Sequence, residues 1–141
     1  MAAVSKATTS WSGDLPSGSG STALDTSKVA TFDVSWKART DPSGGTTNPE
    51  ELLAAAHASC FSMAFALGLT ENGTPPTSIT TTAAVTFVPG PGITGIELTT
   101  RATVEGIDEA AFQKVAEETK TGCPVSAALA AVPISLTASL D

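Results

Sequence analysis

Between Glu51 and Glu71 the chain carries no Asp, Glu, Lys or Arg. The stretch reads Asn48-Pro-Glu-Glu-Leu-Leu-Ala-Ala-Ala-His57-Ala-Ser-Cys60-Phe-Ser-Met-Ala-Phe-Ala-Leu-Gly-Leu69. It opens with helix-start chemistry. Asn48 offers an N-cap oxygen, Pro49 occupies a position whose N–H has no partner anyway, and Glu51 stands at N3 of a capping box. Two carboxylates in the first turn suit the positive end of the helix dipole. Alanine, the best helix former, fills much of the interval after Glu51. A helix apolar on nearly every face has to be covered on nearly every face. A membrane span needs about 18 consecutive apolar residues. Here His57, Ser59, Ser62 and several alanines dilute the hydrophobicity, and no Lys or Arg flanks either end. A central core helix wrapped by the remaining elements is the expected structure.

The chain has 141 residues, a net charge of −7, 15% charged residues and 41% hydrophobic ones. That length predicts one domain over 1–141. The acidic balance argues against a nucleic-acid or anionic-membrane partner. So few charges predict that some surface is covered in an oligomer. The first residues, Met-Ala-Ala-Val-Ser-Lys6, hold no apolar signal segment, so a cytoplasmic location is expected. In that compartment the two cysteines, Cys60 and Cys123, are not expected to be a permanent staple.

Strands are predicted at 8–11, 22–24 and 29–36, with a Gly/Ser turn at 17–21. In the third strand the even residues (Ala30, Phe32, Val34, Trp36) form the apolar face. A loop at 41–47 leads to the central helix, and a breaker cluster at 71–76 comes after it. Thr- and Val-rich strands at 78–88 and 93–104 are joined by the turn Pro89-Gly-Pro-Gly92. Asp108 caps a helix that runs to Lys120 and ends at Gly122. Cys123-Pro124 starts a short helix through Ala131, and 133–140 alternates as a last strand. This order is an α+β plan.

Cys60 lies ten residues after Glu50. On a helix that is about 15 Å along the axis, so the two meet only through a third group. Arg39 is a candidate, because a guanidinium can hold a carboxylate and also favour a thiolate. From the residues alone Cys60 is either such a thiolate or a small buried hydrophobe. Cys123, at a helix N-cap, is the more acidic of the two by local physics. His57 is the only histidine and shares the Cys60 face, as a base, a ligand or a core residue. A zinc site from His57, Cys60, Cys123 and a carboxylate fits no compact zinc spacing. There is no Gly-rich phosphate loop, no Gly-x-Ser-x-Gly and no basic-aromatic patch.

Taken together, Thr47-Asn-Pro-Glu-Glu-Leu-Leu-Ala-Ala-Ala-His-Ala-Ser-Cys60-Phe-Ser-Met-Ala and Thr121-Gly-Cys123-Pro-Val-Ser126 resemble the OsmC/Ohr family of thiol peroxidases. Trp11-Ser-Gly-Asp14 and Pro75-Pro-Thr-Ser-Ile79 extend the resemblance over nearly the whole chain, and the Cys60 motif is similar to the OsmC branch. The resemblance implies an intertwined homodimer in which antiparallel sheets wrap central buried helices, with active sites at the subunit interface. It implies a peroxidatic Cys60, a resolving Cys123, and Arg39 and Glu50 holding the thiolate. The implied reaction reduces an organic hydroperoxide through a Cys60 sulfenic acid and a Cys60–Cys123 disulfide. A dithiol of lipoyl type then restores the thiols, with no metal or other cofactor required. Apolar Phe61, Met63 and Phe65 beside Cys60 point to alkyl or lipid hydroperoxides. The rival expectation is a non-enzymatic, apolar-ligand-binding or redox-sensing protein of the same fold. The separation of the two cysteines discriminates the peroxidase from the binding protein, whereas a redox sensor shares the chemistry and differs only in needing a partner that follows the oxidation state.

Overall fold

A computed structural model describes residues 1–41 and 43–141. Pro42, in the loop expected at 41–47, lies outside the described residues. The chain divides into two compact units, Met1–Leu52 and Leu53–Asp141.

In the first unit β1 (Ala7–Ser12), β2 (Ser19–Leu24) and β3 (Thr31–Val34) form an antiparallel sheet in that order. Of the Gly/Ser cluster expected as a turn at 17–21, Ser17 lies in the turn and residues 19–21 supply the first half of β2. Its small residues answer a packing demand. A Cβ on Gly20 would lie 2.6 Å from the Ser10 carbonyl oxygen and 2.9 Å from the Trp11 ring. The turn itself is tied by the Asp14 carboxylate, which accepts from the Ser17 amide and hydroxyl at 2.8 and 2.6 Å. The third strand is shorter than the expected 29–36. Ser35 caps a short helix, α1 (Trp36–Thr40), by accepting from the Ala38 amide at 3.3 Å. Trp36 therefore sits on a helix, while Phe32 and Val34 keep the half-buried face of β3 that alternation predicts.

The long helix α2 (Pro49–Glu71) begins in this unit. Asn48 caps it as expected, accepting from the Glu51 amide at 2.8 Å. The Asn48 amide group also donates to the Ala38 carbonyl at 2.8 Å, which fixes α1 against the start of α2.

The second unit holds the rest of α2, a sheet in the order β4 (Ser78–Val88), β5 (Gly92–Thr103), β6 (Ile134–Leu140), and two helices, α3 (Glu109–Gly122) and α4 (Pro124–Ala128). β4 and β5 form the expected hairpin. The family resemblance implied antiparallel sheets, but β6 runs parallel to β5. The reason is the connection, since α3 and α4 intervene and return the chain to the same end of the sheet. Asp108 caps α3 by accepting from the Ala111 amide at 2.8 Å.

His57, Phe61, Phe65 and Leu69 recur every fourth residue along α2, and each is fully buried. Phe61, Phe65 and Leu69 of this row cluster with Leu98 and Ala102 of β5 and with Phe112 and Ala116 of α3. The Phe65 ring lies 5.6 Å from Phe61 and 5.4 Å, edge-on, from Phe112. Gly68 lets α3 come close, because a Cβ there would meet a Val115 methyl at 2.9 Å. The opposite face is open. Met63 and Leu67 are 73% and 59% exposed, so a helix apolar all round is covered by its own chain on one side. By length and composition alone α2 also meets the requirement for a membrane span. Its buried aromatic row makes it the core helix of this unit.

Phe65 is the centre of that row, and Phe65→Ala is expected to cost about 3–5 kcal/mol. Urea unfolding followed by far-UV circular dichroism measures the loss. A cost under about 1 kcal/mol would contradict a single core built on α2.

Candidate active site

The four candidate residues fall into two pairs, Cys60 with Cys123 in the second unit and Arg39 with Glu50 in the first. Cys60 lies in the middle of α2, beside the buried row, and packs partly exposed against the core cluster. Cys123 is fully buried. It closes α3, donating its amide to the Thr119 carbonyl at 2.9 Å, and is the residue before Pro124 opens α4. Gly122 and Pro124 thus turn the chain around a cysteine. The sulfurs lie 3.1 Å apart as free thiols. A disulfide measures about 2.05 Å, so roughly one ångström of sulfur movement closes the bond.

The two thiols differ electrostatically. Burial pushes the Cys60 thiol up, and its hydrogen bond with Cys123 adds to this, while the Val125 amide opposes it. Burial also pushes Cys123 up. There the Ser126 amide, the Cys60 thiol, the Ser126 hydroxyl and the Val125 amide together outweigh burial and bring it below its ordinary value. The two shifts have opposite signs, so Cys123 is the more acidic thiol of the pair. This agrees with the ranking that helix-end physics predicts.

Arg39 is carried by α1 and Glu50 by the first turn of α2. The guanidinium grips the carboxylate through both oxygens, with Nε at 3.1 and 3.2 Å and Nη2 at 2.6 Å from Oε1. Glu50 is buried and Arg39 is half-buried. The Trp36 ring lies 5.8 Å from the Arg39 guanidinium carbon. Two links hold the geometry, the Ser35 cap of α1 and the Asn48 bond to Ala38. Beside Arg39 opens a cavity of about 480 Å³ with Trp11, Leu15, Val34, Trp36 and Leu52 in its walls.

Phe61 and Phe65, expected to give Cys60 an apolar surround for substrate, are core residues with no exposure, and Met63 faces outward. The apolar cavity of the first unit is instead built by Trp11 and Trp36. His57 is buried, and its Nε2 lies 2.7 Å from the Ser126 hydroxyl oxygen. Its Nδ1 has no hydrogen-bond partner among the described residues. Burial lowers its pKa and keeps the imidazole neutral. Among the described residues no three His, Cys, Asp or Glu side chains gather as metal ligands. Sequence reasoning gave no role to Ser126 or Trp36. The signal for Ser126 was its place three residues after a helix-capping cysteine.

A family model described as "OsmC-like protein" matches residues 41–137. The chain is 42% identical over 124 residues, 86% of each sequence, to the protein named peroxiredoxin OsmC of Escherichia coli (strain K12). The crystal structure of an OsmC-like protein from Mycoplasma pneumoniae superposes with a TM-score of 0.74 at 15% identity, covering 99% of both chains. The organic hydroperoxide resistance protein OhrB of Bacillus subtilis gives 0.63 at 22% identity, covering 96% of this chain and 98% of that one. A motif set that spans both cysteines, a matching family model and a relative at 42% identity agree, and the chain belongs to the OsmC-like protein family.

Proposed function

We propose that this protein is a cysteine-based peroxidase that reduces organic hydroperoxides to alcohols and is recycled by a dithiol of lipoyl type. The observation that carries the reading is the 3.1 Å contact between a half-buried and a fully buried thiol. Two cysteines kept as inert packing have no need of that contact, whereas a disulfide cycle depends on it. The name of the Escherichia coli relative, peroxiredoxin OsmC, supports the same reading.

Cys60 is the attacking residue, because its sulfur is the accessible one of the pair. Cys60 gives up its proton to solvent and acts as the nucleophile. Arg39, held by Glu50, is the cation that the family resemblance assigns to the thiolate, a role in which its charge favours ionisation. The thiolate attacks the terminal peroxide oxygen and the O–O bond breaks. Cys60 becomes a sulfenic acid, and the alkoxide takes a proton to leave as alcohol. Cys123, as thiolate, then attacks the Cys60 sulfur. The S–S bond forms and hydroxide departs as water. The dithiol returns two electrons and is itself oxidised to a cyclic disulfide. The apolar walls beside Arg39 suit an alkyl tail and disfavour hydrogen peroxide. The exposed Met63 and Leu67 of the central helix are covered by a second copy in a homodimer. The cytoplasm, with its reducing thiol pool, is the matching compartment.

Cys60→Ser is expected to reduce turnover of cumene hydroperoxide with dihydrolipoamide to background. Cys123→Ser consumes one equivalent per site and then stalls or over-oxidises, which mass spectrometry of Cys60 reads. Full turnover by Cys60→Ser would contradict the assignment. For Arg39→Ala, kcat/KM falls by about 10²-fold, the usual loss when one preorganised donor is removed from a reacting centre. An unchanged kcat/KM in that variant would remove Arg39 from the reaction.

A further inference from the structure

Two thiols in contact are a chelate as well as a redox pair, and their separation restricts what the chelate can hold. We propose that reduced Cys60 and Cys123 capture monosubstituted trivalent arsenicals, compounds with one carbon substituent and two hydroxyls on arsenic, by bonding arsenic to both sulfurs. The inference concerns the same two sulfurs as the peroxidase reading and does not depend on their turning over peroxide.

Both cysteines are free thiols, and their sulfurs lie 3.1 Å apart. Cys60 is half-buried and accessible, whereas Cys123 is fully buried. Cys60 comes from the middle of α2 and Cys123 from the turn between α3 and α4, and both pack on the core cluster. Core packing therefore sets the separation of the pair. Among the described residues no third His, Cys, Asp or Glu gathers with them as a ligand.

Thiolates are soft ligands and select soft acceptors. With bonds of about 2.3 Å, the length of a thiolate bond to zinc, sulfurs 3.1 Å apart subtend about 85° at the atom they share. A tetrahedral zinc would need the sulfurs about 3.8 Å apart, and further protein ligands besides. A two-coordinate cation held in line between them would need about 4.6 Å. Trivalent arsenic has a different shape. Its lone pair presses its three bonds toward right angles, so the separation of this pair suits it with little sulfur movement. A monosubstituted arsenical brings its own third bond, to carbon, and two sulfurs complete it. Arsenite lacks that carbon and keeps a hydroxyl on a site with two thiols, so it is held less tightly.

Cys60 reacts first, because its sulfur is the accessible one. The sulfur bonds to arsenic and displaces one hydroxyl, which leaves with the thiol proton as water. Cys123 displaces the second hydroxyl in the same way. Two S–H and two As–O bonds break, and two As–S and two O–H bonds form. Arsenic stays trivalent and no electrons are transferred. The second sulfur bond closes within one molecule, an advantage that a monothiol in solution does not have.

The test treats the reduced protein with one equivalent of phenylarsine oxide, titrates free thiols, weighs the intact chain, and then adds excess glutathione. Both thiols are expected to disappear and one phenylarsenic to be retained per chain, released by dimercaptopropanol but not by glutathione. Cys60→Ser and Cys123→Ser each weaken retention by about 10²-fold, the gain expected from joining two binding groups. Arsenite is stripped at a glutathione concentration that leaves phenylarsenic bound, and zinc is not retained against a chromogenic chelator. Loss of one thiol only, equal retention by Cys123→Ser, or zinc held as tightly as phenylarsenic would each overturn the inference. If a serine variant fails to fold, wild type alkylated at Cys60 with iodoacetamide replaces it, and retention by that protein would overturn the inference too. Peroxide turnover without capture would overturn this inference alone. Capture by a protein that turns over no hydroperoxide would support it and overturn the peroxidase reading.

Discussion

Burial of one face of α2 is the interaction from which the rest of the second unit derives. His57, Phe61, Phe65 and Leu69 repeat every fourth residue and vanish into the core, which fixes the rotation of the helix about its axis. That rotation decides where Cys60 goes. One position before Phe61, it lies at the margin of the buried row, partly exposed but in contact with the core. The turn between α3 and α4 packs onto the same core and delivers Cys123 to it. The sulfurs meet where α2 and the α3–α4 turn pack on the same core. The same packing closes the His57–Ser126 bond, which joins α2 to α4 beside the sulfurs.

Within this pair two physical preferences compete. The amides and hydroxyl around Cys123 favour its thiolate, and burial disfavours the thiolate of Cys60. Access favours Cys60. At 3.1 Å the two thiols lie within hydrogen-bond reach, so the ionisation of one depends on the protonation of the other.

Much of this was legible in the sequence, for identifiable reasons. The central helix could be read because its cap, its alanines and its lack of charge all agree, and Asn48 caps it as expected. The β4–β5 hairpin is written in Thr/Val alternation around Pro89-Gly-Pro-Gly92. Short local signals failed where packing overrode them. The glycines at 17–21 read as a turn, yet Gly20 is a strand residue pressed against Trp11. Trp36 continued an alternating strand, yet the Ser35 cap starts a helix there. The apolar neighbours of Cys60 pointed to a substrate surround, but at helical spacing Phe61 and Phe65 turn inward and Met63 outward. The pairing of Arg39 with Glu50 was legible, because a carboxylate in a helix's first turn is too far from Cys60 to act without an intermediary. The Ser126 contact was invisible, since it joins residues 69 positions apart.

The most direct measurement is a thiol count. The protein is reduced, freed of reductant, given one equivalent of cumene hydroperoxide per chain, and titrated for free thiols, with hydrogen peroxide as the comparison. The account predicts rapid loss of both thiols per chain with the organic peroxide and slower loss with hydrogen peroxide. Two thiols that survive for many minutes with either peroxide would mean that Cys60 and Cys123 are inert core residues, and would contradict the account at its centre.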